Sequence, residues 1–426
     1  MNEFDKVIGY ETIKNELLQV CDMFHNRDIY EKLGAKHPRG ILIYGDPGLG
    51  KTLMAKCFIA ESGLKTFTVR RNKGTDDFVG EITDTFMKAK ENAPAIVFLD
   101  DMDKFANEDE KHCDAEEYVA VQSGIDEVKD SDVFVLATAN DIRKLPHSLT
   151  RSGRFDRKVE VKCPTVEDAS EIIKHYLTSK KVLEDINLED ITMMISYSSC
   201  AELETILNEA AISAAFARHD AISMDDLIKA VLRMKYEAPD SYSKTAEADL
   251  RKVALHEAGH LVVCEVLCPG SVGLASLRTS GRDATGGFIR RCKELTRRPY
   301  HILVYLAGKA AVELYYSEAC ASGCQSDISR AYKEIRTAIS ESGTCGLGMI
   351  DVATQRFPDT SENMNSRNEA VVHAELERYI LKARDILLKN REFLEKATDM
   401  LLAKETLLYS DVKALRESVS IIEVAV

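Results

Sequence analysis

Two histidines and a glutamate lie close together in the second half of the sequence, at His256, Glu257 and His260. The surrounding residues, from about Glu247 to Leu267, follow a helical pattern. Side chains four residues apart project from one face of a helix, so both imidazoles can reach one metal ion. Glu257 lies about 100° around the helix from His256, where it could move a proton from water to a leaving amine. The pattern predicts zinc-dependent hydrolysis, and a pair of buried core histidines is the weaker alternative.

A catalytic zinc normally has three protein ligands, and the sequence offers two candidates for the third. Cys264 follows His260 at the same spacing, but eight residues rotate a helix about 80° beyond two full turns, away from the histidine face. A small buried hydrophobic residue is the more common role for such a cysteine. Asp327 follows a glycine and is expected to open a helix that holds its carboxylate rigidly. Its spacing alone does not separate Asp327 from the other acids.

A second set of residues has the pattern of a phosphate-binding loop. Residues 45–52 read Gly-Asp-Pro-Gly-Leu-Gly-Lys-Thr, after a predicted strand and before a predicted helix. Backbone N–H groups of such a loop surround a β-phosphate, and the helix N-terminus adds a favourable dipole. Lys51 can reach the β- and γ-phosphates of ATP, and the Thr52 hydroxyl can ligate Mg²⁺. The residues predicted to contact the nucleotide are Asp46, Pro47, Gly48, Leu49, Gly50, Lys51, Thr52 and Leu53.

An acidic pair, Asp100 and Asp101, ends the strand predicted at Ala95–Leu99. Asp100 is expected at the carboxyl edge of the sheet, beside the metal and phosphates of a bound nucleotide. Aspartates often end strands, so a solvated acid is the alternative. The order of the two motifs along the chain favours the Mg²⁺ role.

Apolar runs that alternate with helical patterns from about residue 38 to 162 predict an α/β fold with a parallel sheet covered on both faces. The predicted strands are Ile41–Tyr44, Thr66–Val69, Ala95–Leu99, Val133–Ala137 and Val159–Val161. We expect an α/β nucleotide-binding domain at 1–164, a helical lid at 165–236, a polar linker at 237–246 and a mainly α-helical metalloprotease domain at 247–426.

Composition excludes some classes of protein. The 426 residues include 56 Lys and Arg against 70 Asp and Glu, a net charge of −14, which disfavours nucleic-acid binding. The eleven cysteines show no paired framework, as is typical of a reduced intracellular protein. No apolar run approaches the ~18 residues that span a bilayer, and the N-terminus has no signal pattern. We therefore expect a cytoplasmic protein, if this is the complete chain.

Further segments resemble the AAA family of ring ATPases. Residues 152–157, Ser-Gly-Arg-Phe-Asp-Arg, resemble the arginine-finger segment, and Asn140 resembles the sensor asparagine. The resemblance implies that Arg154 and Arg157 reach a neighbouring subunit's nucleotide and stabilise charge on the γ-phosphate. An exposed basic turn is the alternative.

A tripeptide in the same domain, Phe78, Val79 and Gly80, resembles the aromatic pore loop that grips a threaded chain. Such a tripeptide carries little weight alone, because core packing is the more common fate of an aromatic residue.

The order of these parts is similar to the FtsH family of ATP-dependent zinc proteases, from Phe4 to about Leu415. That resemblance makes Asp327 the third zinc ligand and residues 285–289 the strand beside the zinc helix. Residues that it assigns to the nucleotide pocket and lid include Ile8, Gly9 and Ala201. The family implies a homo-hexamer in which ATP cycling threads unfolded or damaged proteins into a chamber of zinc sites. The implied cofactors are Zn²⁺, ATP and Mg²⁺.

Three features depart from the family pattern. The family usually carries N-terminal membrane helices, whereas this sequence begins at the ATPase domain, so we expect a soluble member or an excised fragment. Asp101 stands where the family has a catalytic glutamate, and the shorter side chain retracts the carboxylate by about 1.5 Å. We therefore predict slow but nonzero ATP hydrolysis. Cys200 and Asp46 replace a usual glycine and a usual proline near the nucleotide.

The leading hypothesis is an ATP-dependent zinc endopeptidase that degrades proteins in a ring. A second hypothesis is a chaperone-like or ATP-gated ring that hydrolyses ATP weakly, with little or ATP-independent peptidase activity. A third, an ATPase that remodels nucleic acid, is disfavoured by the acidic balance and the zinc motif.

Overall fold

The computed structural model describes residues 2–71, 77–106, 115–151, 153–236, 247–278, 286–316, 321–339 and 362–424. Contacts divide the chain into two compact units, residues 1–180 with 197–208 and residues 181–196 with 209–426. The expected linker at 237–246 lies outside the described residues, and the domain boundaries stay predictions. No helix in the described ranges is long and apolar enough to cross a membrane.

The first unit contains the parallel sheet that the sequence predicts. Its strands are β1 Gly40–Tyr44, β2 Lys65–Val69, β3 Ala95–Leu99, β4 Val133–Ala139 and β5 Arg157–Glu160, in the spatial order β2-β3-β4-β1-β5. Every residue of β3 and β4 is buried, whereas the edge strand β2 has exposed residues at Lys65 and Thr68. Continuous apolar sequence in β3 and β4 therefore follows from burial on both faces of the sheet.

The same unit also contains helices. They are α1 Glu11–His25, α2 Arg27–Lys32, α3 Lys51–Ser62, α4 Phe78–Glu91, α5 Ala115–Glu127, α6 His147–Thr150 and α7 Val166–Thr178. Helix α3 packs on β1 and β4, and α4 packs on β2 and β3. The alternation of strands and helices confirms the α/β prediction.

Strand order positions the nucleotide residues. Because β4 lies between β1 and β3, three adjacent strands end at one edge of the sheet. The phosphate loop follows β1, Asp100 follows β3 and Asn140 follows β4. Residues nearly a hundred positions apart in sequence are therefore neighbours in space.

The second unit is mainly helical, as the sequence predicts. Its helices are α8 Leu188–Met194, the end of α9 Cys200–Phe216, α10 Met224–Tyr236, α11 Glu247–Leu267, α12 Arg298–Tyr315, α13 Ala321–Thr337, α14 Glu362–Lys389, α15 Arg391–Lys404 and α16 Tyr409–Glu417. Helix α11 is the centre of a core formed with α12, α14 and α15. Its residues Ala254 to Val266 are buried on all sides, which is the pattern of a helix inside a core rather than on a surface.

A small antiparallel sheet lies beside α11. Strands β6 Val272–Ser276, β7 Phe288–Arg291 and β8 Thr406–Leu408 have the order β7-β6-β8, so β7 is an edge strand. The family resemblance implies a strand at 285–289. The structure begins it at Phe288, and Thr285 lies outside the described residues.

Candidate metal centre and nucleotide site

Helix α11 carries the histidine pair. His256 and His260 are 5% and 7% exposed, and their rings lie 4.6 Å apart at an angle of 81°. Their Nε2 atoms approach within 3.0 Å of each other. Two imidazole nitrogens this close share either a proton or a cation, because two lone pairs would repel each other.

Asp327 completes the group. Its Oδ2 lies 3.2 Å from His256 Nε2 and 3.1 Å from His260 Nε2. Ligands at 2.0–2.1 Å from a tetrahedral zinc are about 3.3 Å from one another, so the three donor atoms fit that ion. Asp327 lies in the second turn of α13, not at its start, because the helix already begins at Ala321.

Helix α12 orients the histidines, and the sequence did not predict this. The His260 Nδ1–H donates to the Val304 carbonyl oxygen at 2.6 Å, which leaves the Nε2 lone pair for a metal. Gly308 packs flat against both rings: a Cβ there would lie 2.5 Å from His260 Nε2 and 2.6 Å from His256 Nδ1. Any other residue at 308 would have to displace the imidazoles.

Glu257 lies beside the donors and is 4% exposed. Its Oε1 accepts the Gly287 N–H at 3.2 Å, just before β7. Burial raises the pKa of the Glu257 carboxyl, and the nearby His260 and His256 oppose that rise. A buried carboxylate with a raised pKa has the properties of a general base.

The charges of the donors are coupled. Burial lowers the pKa of His260, but the hydrogen bond and charge of Asp327 outweigh it and raise the pKa above its ordinary value. Burial also raises the pKa of Asp327, yet its bonds to His256 and His260 hold that pKa well below the ordinary range. The carboxylate is therefore ionised and available as a ligand.

The two cysteines near the histidines have other surroundings. Cys264 is fully buried in the core, and burial raises its pKa to about 12, so it remains a neutral thiol. Cys324 Sγ lies 4.0 Å from His256 Nδ1, on the side of the ring away from Asp327. The described residues contain one group of at least three potential ligands within 4.8 Å of one another, namely His256, His260 and Asp327.

Lys51 of the phosphate loop is hydrogen-bonded to the loop backbone and to Asn140 after β4. Lys51 is 6% exposed, and its Nζ donates to the Asp46 carbonyl at 2.8 Å and to Asn140 Oδ1 at 2.9 Å. Burial lowers the pKa of Lys51, and nearby acids oppose the shift. The Asp103 carboxylate, which the sequence did not single out, accepts the Asn140 N–H at 3.0 Å and fixes that residue.

The rest of the loop has the expected shape. Gly48 and Gly50 have φ angles of 79° and 84°, which residues with a Cβ rarely adopt. Pro47 and Leu49 precede α3, and Leu49 is buried. Leu53 lies in the first turn of α3 and is exposed. The Ala201 N–H donates to the Gly48 carbonyl at 3.1 Å, so helix α9, which lies in the predicted lid, begins directly against the loop.

The acidic pair lies at the end of β3. Asp100 is 4% exposed, and its Oδ1 accepts the Thr52 hydroxyl at 3.3 Å, so the two residues predicted to act on Mg²⁺ are direct neighbours. Asp101 has a left-handed backbone with φ 54°, and its Oδ2 pairs with Lys104 at 2.6 Å. The Thr138 hydroxyl, also missed by the sequence analysis, contacts both acids.

Ile8 and Gly9, which the family resemblance assigns to the nucleotide pocket, lie in a segment with a defined structure. Tyr10, which follows Ile8 and Gly9, donates its N–H to Asp168 Oδ1 at 3.0 Å and its hydroxyl to the Lys162 carbonyl. Gly9 packs directly against the Asp168 carboxylate. The segment before α1 is thus fixed to the start of α7.

The two predicted finger arginines have partners within the chain. Arg154 is 3% exposed, pairs with Asp126 at 2.6 Å and also donates to the Ser148 carbonyl. Arg157 donates to Gln19 Oε1 at 3.0 Å. In their predicted role, Arg154 and Arg157 would exchange these hydrogen bonds for contacts with the nucleotide of a second subunit.

The predicted pore-loop residues open helix α4. The Phe78 ring is 6% exposed and packs edge-on against Phe105 at 5.3 Å, with Val79 and Gly80 in the same first turn. The structure thus places Phe78 in the core, the alternative that its sequence left open. A ring that grips a threaded chain would have to be exposed.

Comparisons with known proteins match both regions. Residues 41–163 match the model of the ATPase family associated with various cellular activities (AAA), and residues 243–415 match that of peptidase family M41. The first segment contains the phosphate loop and acidic pair, and the second contains all three candidate metal ligands.

Relatives cover nearly the whole chain. It is 33% identical to the ATP-dependent zinc metalloprotease FtsH of Leptotrichia buccalis, over 97% of this chain and 57% of that protein. The protein of the same name from Streptobacillus moniliformis is 32% identical, over 99% of this chain and 65% of its own length. The FtsH 3 protein of Symbiobacterium thermophilum is 29% identical, over 97% and 71%. The chain thus spans less than two thirds of the length of the first two relatives.

Proposed function

Because this chain belongs to the FtsH family of AAA zinc metalloproteases, we propose that it is an ATP-dependent zinc endopeptidase. The observation that carries the proposal is the convergence of His256, His260 and Asp327 on one point, with Glu257 beside them. Zinc in this position would polarise the carbonyl of a peptide bond. ATP and Mg²⁺ are the corresponding cofactors of the first unit.

Glu257 is the proposed general base. Its carboxylate takes a proton from the attacking water and returns it to the leaving amine, so one residue serves both halves of the reaction. The Gly287 N–H holds one carboxylate oxygen in place, and within the described residues no hydrogen bond is made by the other, which would carry the proton. Burial of Glu257 raises its pKa, which brings it nearer the range in which a base works well.

The edge strand β7 is the proposed substrate-binding element. It begins one residue after Gly287, whose N–H contacts Glu257, and on one side it pairs with β6. An extended peptide could add to its other side by backbone hydrogen bonds, which hold any sequence in an extended form. This mode suits unfolded or damaged proteins as substrates.

The first unit is the proposed motor. Lys51, Thr52 and Asp100 would contact phosphates and Mg²⁺, and Asn140 would contact the γ-phosphate. Arg154 and Arg157 would act on the nucleotide of the next subunit in a hexamer, and Asp101 would align the attacking water. The ring and the cytoplasmic location stay predictions. Because Phe78 is buried, we do not assign the grip on a threaded chain to it.

Degradation of casein, an unstructured protein, tests this function. The zinc-loaded protein is assayed with ATP, without ATP, and as Glu257→Gln. We expect cleavage only by the wild type with ATP. Cleavage that needs Glu257 but not ATP would leave a peptidase without a motor. No cleavage despite bound zinc and assembled rings would contradict the proposal and favour the chaperone-like ring.

A further inference from the structure

Thr138 lies at the carboxyl end of β4 and is completely buried. Its hydroxyl makes two hydrogen bonds. It donates to Asp100 Oδ1 at 2.9 Å and accepts the Asp101 N–H at 2.9 Å. One hydroxyl thus joins the side chain of one acid to the backbone of the next.

Among the side-chain contacts of Asp100, the hydrogen bond from Thr138 is the buried one. Asp100 Oδ1 also accepts the Thr52 hydroxyl at 3.3 Å, and Oδ2 faces Arg70 Nε at 3.7 Å. The Arg70 side chain is 62% exposed, so its ion pair is weak and adjustable. Thr138 is therefore the contact that fixes the direction of the carboxylate.

The bond to Asp101 continues the sheet by one residue. The Asp100 N–H donates to the Val69 carbonyl of β2, and β3 ends at Leu99. The next N–H, that of Asp101, would be left without a strand partner, and the Thr138 hydroxyl takes that place. Asp101 then turns into a left-handed conformation at φ 54°, which is unfavourable for a residue with a Cβ. The hydroxyl therefore holds the turn that determines where the Asp101 carboxylate points.

We propose that Thr138 is a positioning residue of the ATPase site, which sets Asp100 for Mg²⁺ and Asp101 for the attacking water through one hydroxyl. A carboxylate can only accept and an amide can only donate, so the group between them must do both. Serine meets this requirement, and valine, which is similar in shape, does not. The inference rests on the proposed ATP hydrolysis, but its effect on Mg²⁺ binding can be measured without hydrolysis.

The test compares Thr138→Val, Thr138→Ser and Thr85→Val in the full chain. Thr85 is a matched control, since it is buried in the same unit but donates only to Glu81 O within its own helix, at 2.7 Å. A fluorescent ADP analogue is titrated with Mg²⁺, steady-state ATP hydrolysis is followed, and thermal unfolding checks that each variant is folded.

For Thr138→Val we expect the Mg²⁺ concentration for half-maximal binding to rise about tenfold or more. We also expect kcat to fall about tenfold or more with little change in KM for ATP. Nucleotide binding without Mg²⁺ should stay as in the wild type. Thr138→Ser should restore most of both losses, and Thr85→Val should show neither.

Wild-type Mg²⁺ dependence and kcat in folded Thr138→Val would overturn the inference. Equal losses in Thr138→Ser, or in Thr85→Val, would also overturn it, because the hydroxyl would then not be the cause. A wild type that binds Mg²⁺ and ADP but never hydrolyses ATP would contradict the proposed motor alone. The Mg²⁺ titration would still decide the role of Thr138. A wild type without Mg²⁺-dependent nucleotide binding would overturn both.

Discussion

The metal centre and the nucleotide site differ in where their polar groups find partners. In the second unit, His256, His260 and Asp327 point at one another, and helix α12 fixes the rings from behind. In the first unit, Lys51 is bound by the loop's own carbonyl and by Asn140. The metal centre is therefore arranged for its ion in advance, whereas the nucleotide site has to exchange internal bonds for bonds to phosphate.

This difference suits the two proposed tasks. Peptide hydrolysis gains from donors and base that do not move, because a preorganised site loses nothing to rearrangement during the reaction. A motor needs a site whose bonds change with the nucleotide, and the Lys51 bonds to Asp46 and Asn140 are ones that a phosphate can replace.

The largest effect is expected on peptide cleavage, in the variant Glu257→Gln. The amide keeps the shape and can still accept the Gly287 N–H, but it cannot take a proton. Cleavage of a short quenched peptide should fall by about 10²- to 10⁴-fold, with zinc content unchanged. A variant that cleaves the peptide at close to the wild-type rate would remove Glu257 from the chemistry.

The second effect concerns the preorganisation itself. Gly308→Ala should lower zinc affinity by about 10- to 100-fold, because the added methyl displaces both rings. Gly259→Ala is the matched control. Its Cβ would meet Ala307 O and Ala311 Cβ at 2.6 Å in the same helix pair. Gly259→Ala should lower the melting temperature and leave the zinc affinity close to the wild-type value.

Competition with a chromophoric chelator measures both affinities. If the two variants lose zinc equally, the packing of α11 on α12 matters in general, and Gly308 has no special role at the rings.

The third largest effect is expected on ATP turnover at the nucleotide site. Asp101→Glu should raise ATP turnover by about tenfold, because the extra methylene returns the carboxylate toward the attacking water. The Thr138 hydroxyl keeps the turn in place, because it accepts the backbone N–H of residue 101, which the substitution leaves unchanged. An unchanged or slower rate would show that the shorter side chain is not what limits this site.

The smallest effect is expected for Cys264→Ala. The thiol is fully buried and the pKa of about 12 keeps it protonated, so the loss should be about 1 kcal/mol of stability from reduced packing. Zinc affinity should stay at the wild-type value. A clear loss of zinc would mean that Cys264 is a ligand, the alternative left open by its spacing.

The parts that the sequence predicts are those with a local period or a fixed motif. The parallel sheet follows from alternating strands and helices, and the histidine pair follows from the i, i+4 spacing. Asp327 lies 67 residues after His260, and only the family resemblance selects it among many acids, since no periodic rule reaches that far. For Phe78 the local tripeptide is ambiguous, and burial against Phe105 decides its place.

The parts that the sequence does not predict are contacts between elements. Val304 acts through a backbone carbonyl and Gly308 through the absence of a side chain, so the residue type of neither one indicates its role. The strand predicted at Val133–Ala137 ends one residue before Thr138, and only the pairing of β3 with β4 brings the Thr138 hydroxyl to Asp100 and Asp101. Such positioning groups become visible only when the register is known.

We propose that the metal centre cleaves peptide bonds and that ATP hydrolysis at the nucleotide site delivers the protein substrate to it. Lys51→Ala tests it most directly, with a short quenched peptide and casein measured in the same zinc-loaded sample with ATP. The account predicts that peptide cleavage is largely kept, because all four active-site residues lie in the second unit, and that casein degradation is lost. Casein degradation at the wild-type rate by this variant would contradict the account.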